Sequence, residues 1–215
     1  MTGIATTVCG KAKAATMSER DDILAAVRAN KPDLEAPAPT IPSYDTDFPH
    51  ARSARSNVFI EALQAMNGEW QARKAEQSVA DVLHDRLAQA AVICSNVPEV
   101  EGNRALHPDT TPADLEDVDM AVLRARFAVA ETGSVCFTEK ELVVNALAYL
   151  ALDLVVLLDP DAIVANLHRA YQRRDYFDAN YTVLHTGPSA TADIQGVLVN
   201  GAQGVRSLTV VPVEA

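Results

Sequence analysis

The stretch LDLVVLLDPDAIVANLHRAY, Leu152 to Tyr171, constrains the fold more than any other. Leu152 to Leu158 is short, apolar and rich in leucine and valine, the composition of a buried strand. Asp159-Pro160 ends it, and Pro160 stands where a helix accepts proline in its first turn. Ile163, Val164, Leu167 and Ala170 then recur at helical spacing, so the stretch predicts strand, turn and helix in succession. The wider apolar run from Leu142 to Leu158 covers 17 residues and contains Asn145 and Asp153. It falls short of the ~20 apolar residues a membrane helix needs and reads as a buried helix followed by that strand.

The same alternation extends along the chain. Val58, Ile60, Leu63 and Met66, then Val79, Val82, Leu83 and Leu87, lie on single helix faces. Ala90 to Val97 follows as a short strand, and Met120 to Thr138 reads as two strands turning at Glu131-Thr132-Gly133. Ser207 to Val213 supplies the last strand. Between them Ile194, Val197 and Leu198 keep helical spacing after Ser189, with Gly201 placed as a left-handed cap. The pattern predicts an α/β fold of three layers, α/β/α, whose mostly parallel sheet becomes mixed where the hairpin is inserted.

Upstream, Ser18 and Asp21 form a capping arrangement ahead of Ile23, Leu24 and Val27. Residues 1–16 are expected to be a disordered extension, without the charged start and apolar core of a signal peptide. Five of the eleven prolines fall between Lys31 and His50, so residues 17–50 read as a helix and an extended connector. Residues 51–215 are the expected main domain.

Eighteen basic residues against 29 acidic give a net charge of -11, which disfavours nucleic acid and anionic lipid surfaces as partners. Cys9, Cys94 and Cys136 are odd in number and far apart. Neither a disulfide framework nor a cysteine-built metal centre is indicated, no metal ligands are assigned, and a reducing cytoplasm fits best. The five histidines show no metal spacing, and only His185, beside a glycine loop, carries functional weight.

That loop, Thr186-Gly187-Pro188-Ser189-Ala190-Thr191, admits two readings. Backbone N–H groups at a helix start, with the hydroxyls of Ser189 and Thr191 beside them, suit a carboxylate or phosphate. Equally, Ser189 is an ordinary helix cap, with Thr191 and Asp193 as ordinary first-turn residues. The loop is neither a Walker loop nor a dinucleotide fingerprint. Glu131 stands where a general base would sit at a strand end, and Arg206, after Gly204-Val205, is placed to reach back to an anion.

The segments AETGS at 130–134, DLVVLLDPDAIVANL at 153–167 and TGPSATADIQGVLVNGAQGVRSLTVVPV at 186–213 resemble the LUD-domain family, specifically the C-type component of bacterial lactate-utilisation proteins. The resemblance implies a fold like that of CoA transferases and sugar-phosphate isomerases. It also implies a cluster-free component of an L-lactate-oxidising system, converting lactate to pyruvate with iron-sulfur partner subunits and no cofactor in this chain. Its surviving residues are Glu131 as the catalytic candidate, with Thr132, Gly133, Gly187, Ser189, Thr191, Asp193, Gly204 and Arg206 around a small anionic ligand. The family commonly has Glu at Gln195, a Gly-x-His-Gly-Pro-Arg loop over Gly201 to Arg206, where this chain carries Gln203, and an Arg with a Leu-Pro pair near Asn145 to Asp153. A metabolite-binding regulatory module and a transferase or isomerase using Glu131 stand as alternatives. The Glu131 turn and the loops at 187–191 and 201–206 are expected to meet around one cleft at the ends of the sheet strands, where open α/β sheets hold ligands.

Overall fold

A computed structural model describes residues 18–32, 39, 40, 42 and 52–214. The expected extension 1–16 and most of the proline connector lie outside them. Residues up to Pro42 form a unit of their own, with Ser43 onward as the second. In the first, helix α1 (Glu19–Ala29) begins as expected: Ser18 is its N-cap and accepts from the Asp21 N–H at 3.3 Å.

The second unit is organised by a parallel sheet. Its strands are β1 (Glu69–Trp70), β2 (Ile93–Ser95), β3 (Met120–Arg124), β6 (Asp153–Leu158) and β11 (Ser207–Pro212), in the order β1-β11-β6-β3-β2. The leucine and valine run of β6 lies between β3 and β11, registered Val155 to Val122 and to Thr209. Leu154, Val156 and Leu158 enter one core cluster while Val155 and Leu157 enter another, so both faces of the strand are buried. This is why the run is continuously apolar rather than alternating.

On one face, α3 (Val79–Val82) and α4 (His84–Gln89) cover Met120, Val122 and Val211 through Val79, Leu83 and Leu87. On the other lie α2 (Arg52–Ala65), α5 (Glu139–Leu142) and α6 (Leu147–Leu150), whose Phe59, Leu63, Leu142 and Leu147 are fully buried. The expected α/β architecture, a mostly parallel sheet flanked by helices, is present.

The hairpin does not interrupt that sheet. After β3 the Ala125 N–H still bonds Leu157, but the next N–H, from Arg126, bonds Cys136. At that step the chain leaves the central sheet. Strands β4 (Phe127–Val129) and β5 (Ser134–Thr138) then join β7 (Ile163–Val164) and β8 (Thr182–His185) in a second sheet, order β7-β4-β5-β8. Its inner residues Ala128, Val135 and Phe137 belong to the main core. The opposite residues, Phe127, Val129 and Cys136, pack against Ala170 and Tyr176 of α7 (Leu167–Tyr171) and α8 (Arg174–Phe177).

Two helix predictions are corrected. Pro160 opens a 3-10 turn, Pro160–Ala162, capped by Asp159. Ile163 and Val164, however, form β7 beside β4, and the helix starts only at Leu167 behind the Asn166 cap. β-Branched residues offered an open strand edge gain more there than in a helix. Downstream of Ser189 no helix forms. β9 (Ala190–Thr191) and β10 (Val199–Asn200) make a short antiparallel ladder, and the Val197 N–H bonds the Ile194 carbonyl across a turn. Gln195 and Gly196 have φ of 58° and 70° in that turn, values suited to a tight hairpin turn and incompatible with a helix interior. Ile194, Val197 and Leu198 are exposed at its tip.

Candidate functional site

Strand β8 delivers the Gly-Pro-Ser loop. Its last residue, His185, pairs with Val135 of β5, after which Gly187 turns the chain at φ 65°. A Cβ at Gly187 would stand 2.0 Å from the Met66 carbonyl oxygen, so the loop rests directly on the end of α2 and only glycine fits. Gly133 does the same from the other turn, at φ 65°, its Cβ position 2.3 Å from the Leu63 nitrogen. These two glycines, predicted as ligand contacts, are explained by backbone packing on one helix.

The two loops expected to converge do so. The Ser189 N–H donates to Val205 at 2.8 Å, and the Gly201 N–H donates to Ser189 at 2.6 Å. Between them lies a cleft of about 290 Å³, walled by the end of β8, the residues Thr186 to Ser189, the segment Gln203 to Val205, and Ala148 and Tyr149 of α6. Its volume is at the small end of the ~300–1,000 Å³ typical of small-molecule sites. A Cβ at Gly204, where φ is 110°, would stand 2.9 Å from the Tyr149 carbonyl oxygen. With no helix behind Ser189, the helix-terminus anion cradle is replaced by a cleft between loops.

The lining is uncharged. Among the described residues that wall the cleft there is no Lys, Arg, Asp or Glu. His185 packs against Phe137, ring centroids 5.8 Å apart, and Tyr149, 4.8 Å. Burial pushes its imidazole down from 6.5 to about 4, so it is neutral at pH 7. Its Nε2 is buried without a hydrogen-bond partner among the described residues. The Tyr149 hydroxyl shares a 2.6 Å hydrogen bond with the Tyr181 hydroxyl. Burial first, then that bond, raises the phenol far above its ordinary range.

The other predicted residues lie around the cleft rather than in its lining. Thr132, Ser134 and Thr186 form a hydroxyl chain, 2.7 Å and 2.5 Å, that ties the Glu131 turn to the cleft from behind. Glu131 itself turns elsewhere: its carboxylate accepts the Leu167 N–H at 3.1 Å, at the first turn of α7. Thr191 accepts from the Asp193 N–H at 3.2 Å at the base of the β9–β10 hairpin. Arg206 is exposed, with its stem against Gly201, while its N–H bonds Leu152 just before β6. Gly187, Ser189 and Gly204 therefore line the cleft, and Glu131, Thr191, Asp193 and Arg206 do not. Tyr149, His185, Thr186 and Gln203 are its other polar side chains. His185 was legible from its place beside the loop, whereas Tyr149, distant in sequence, carried no signal.

The cleft also lies at the amino ends of β6 and β11, because Gln203 to Val205 lead into β11. The carboxyl ends hold a smaller groove, about 220 Å³, lined by Arg52, Arg73, Pro160 and Pro212. Arg52 there pairs with Asp161 at 2.9 Å, and Arg73 donates to the carbonyls of Pro212 and Gln77.

The LUD domain model matches residues 68–213, which include both sheets and every wall of the cleft. The chain belongs to the LUD-domain family. This family is associated with lactate utilisation. A solved structure, that of a DUF162 family protein from Deinococcus radiodurans, matches with a TM-score of 0.58 at 15% identity, covering 76% of this chain and 99% of that one. At this identity the likeness concerns the fold. No curated protein matches the chain significantly. Among the described residues no helix is long and apolar enough to cross a membrane, and no group of three or more His, Cys, Asp or Glu side chains could hold a metal ion.

Proposed function

We propose that this LUD-domain chain is the cluster-free component of an L-lactate-oxidising system, acting with iron-sulfur subunits that carry the electrons. The observation that carries the reading is the coincidence of the family match with the cleft: the Gly-Pro-Ser segment that resembles the C-type component builds a cavity wall. Removing hydride or electrons from a 2-hydroxy acid needs an acceptor group. The described cysteines are unsuited to hold one. Cys94 and Cys136 are each fully buried, in different core clusters. Burial pushes the Cys136 thiol up to about 12, so it is protonated and unreactive at pH 7.

The geometry favours a binding role over one in which Glu131 acts as base, since that carboxylate already serves the start of α7. Anaerobic reconstitution tests the proposal. The purified chain is expected to be colourless and inactive on L-lactate alone, and to increase lactate oxidation when added to its iron-sulfur partners. A stoichiometric visible chromophore on this chain, or lactate oxidation by it alone, overturns the proposal.

A further inference from the structure

The cleft's chemistry narrows what it can hold. Ser189 and Gln203 line it, and neither side chain has a hydrogen-bond partner among the described residues. A serine hydroxyl and a carboxamide each offer both donor and acceptor capacity, with no charge. The rest of the wall is the neutral imidazole of His185, the Tyr149 ring, the Thr186 hydroxyl already bonded to Ser134, apolar side chains such as Ala148 and Val205, and backbone. Arg206, the cation nearest in sequence, points its stem at Gly201 and lies outside the lining. An entering carboxylate would meet no positive charge in the lining, inside a protein of net charge -11. Desolvating an ion without such compensation is strongly unfavourable, whereas a neutral polar group needs only hydrogen bonds.

We propose that the cleft takes an uncharged, hydrogen-bonding organic ligand of the amide or alcohol class, held by the Ser189 hydroxyl and the Gln203 carboxamide, and discriminates against carboxylates and phosphates. This rests on reading the cleft as the ligand site of the lactate-utilisation component. It deepens that reading: lactate, an anion, is not the occupant, and its chemistry belongs to the partner subunits.

Matched pairs differing only in charge give the test. Nicotinamide against nicotinate, and lactamide against lactate, are titrated into the full chain at pH 7 by ligand-observed NMR and calorimetry. Each amide is expected to bind more tightly than its carboxylate by on the order of tenfold or more. Ser189→Ala and Gln203→Ala should each weaken amide binding by on the order of tenfold, with Arg206→Ala without effect. Thermal melts confirm that the variants are folded, and Gln203→Asn provides a second, conservative variant at the exposed position. A carboxylate that binds as tightly as its amide, above all one weakened by Arg206→Ala, overturns the proposal. So does the absence of saturable amide binding at millimolar concentration. A deletion strain that fails on lactate while the cleft prefers carboxylates overturns this inference alone, because the growth defect reports the lactate role independently.

Discussion

Replacing Gly133 by Ala should destabilise the protein well beyond the usual effect of adding a methyl group to a turn. At φ 65° an L-residue is strained by about 1–2 kcal/mol, partly offset by ~0.4–1 kcal/mol from a less flexible unfolded chain. The new Cβ would also stand 2.3 Å from the Leu63 nitrogen and 2.6 Å from the Ala62 carbonyl carbon and the Leu63 Cα. These are backbone atoms of α2, and Leu63 is fully buried, so relief requires moving the helix against the core. Overpacking of this kind costs about 1–3 kcal/mol, and the helix's rigidity places it near the upper end. Gly196 is the internal control: its φ is 70°, and nothing lies within 4 Å of its Cβ position. Gly196→Ala should therefore cost about 1 kcal/mol, and Gly133→Ala about 3–4 kcal/mol. In a protein of this size these correspond to roughly 2–4 °C and 6–16 °C in Tm. Urea unfolding with unchanged m-value is the assay. Equal losses from the two substitutions would refute the packing of the Glu131 turn on α2.

Three further outcomes follow from the same geometry. Because His185 is held at about 4 in the folded protein against 6.5 unfolded, the unfolded state binds more protons between those values. Stability should be complete above pH 6.5 and fall through that window by at most about 3 kcal/mol, a dependence that His185→Phe removes in urea titrations from pH 7.5 to 4; an unchanged profile contradicts it. Ser134→Ala breaks the hydroxyl chain between Thr132 and Thr186 and should cost about 1–2 kcal/mol, measured by chemical unfolding. Glu139→Gln should accelerate amide hydrogen exchange at Asn180 and Tyr181, whose N–H groups its carboxylate accepts, without changing exchange in β6.

The central fold was legible because its strands are buried on two sides and leave a continuous apolar signature at Leu152 to Leu158. The second sheet was not. Whether β4 and β5 continue the parallel sheet depends on the single step from Ala125 to Arg126, which no periodicity announces. Ile194, Val197 and Leu198 imitated a helix, but Gly196 permits a turn that helix spacing cannot reveal. At the site, the glycine loops marked where the backbone comes close, and they do meet. Their proximity to α2 accounts for Gly133 and Gly187, while Tyr149 reaches the cleft only through tertiary packing.

The lactate role itself is tested most directly by growth. Deleting the protein, in cells expressing no paralogue, should impair growth on L-lactate while leaving growth on pyruvate intact, and a restored copy should repair the defect. Normal growth of that strain on L-lactate would contradict the assignment.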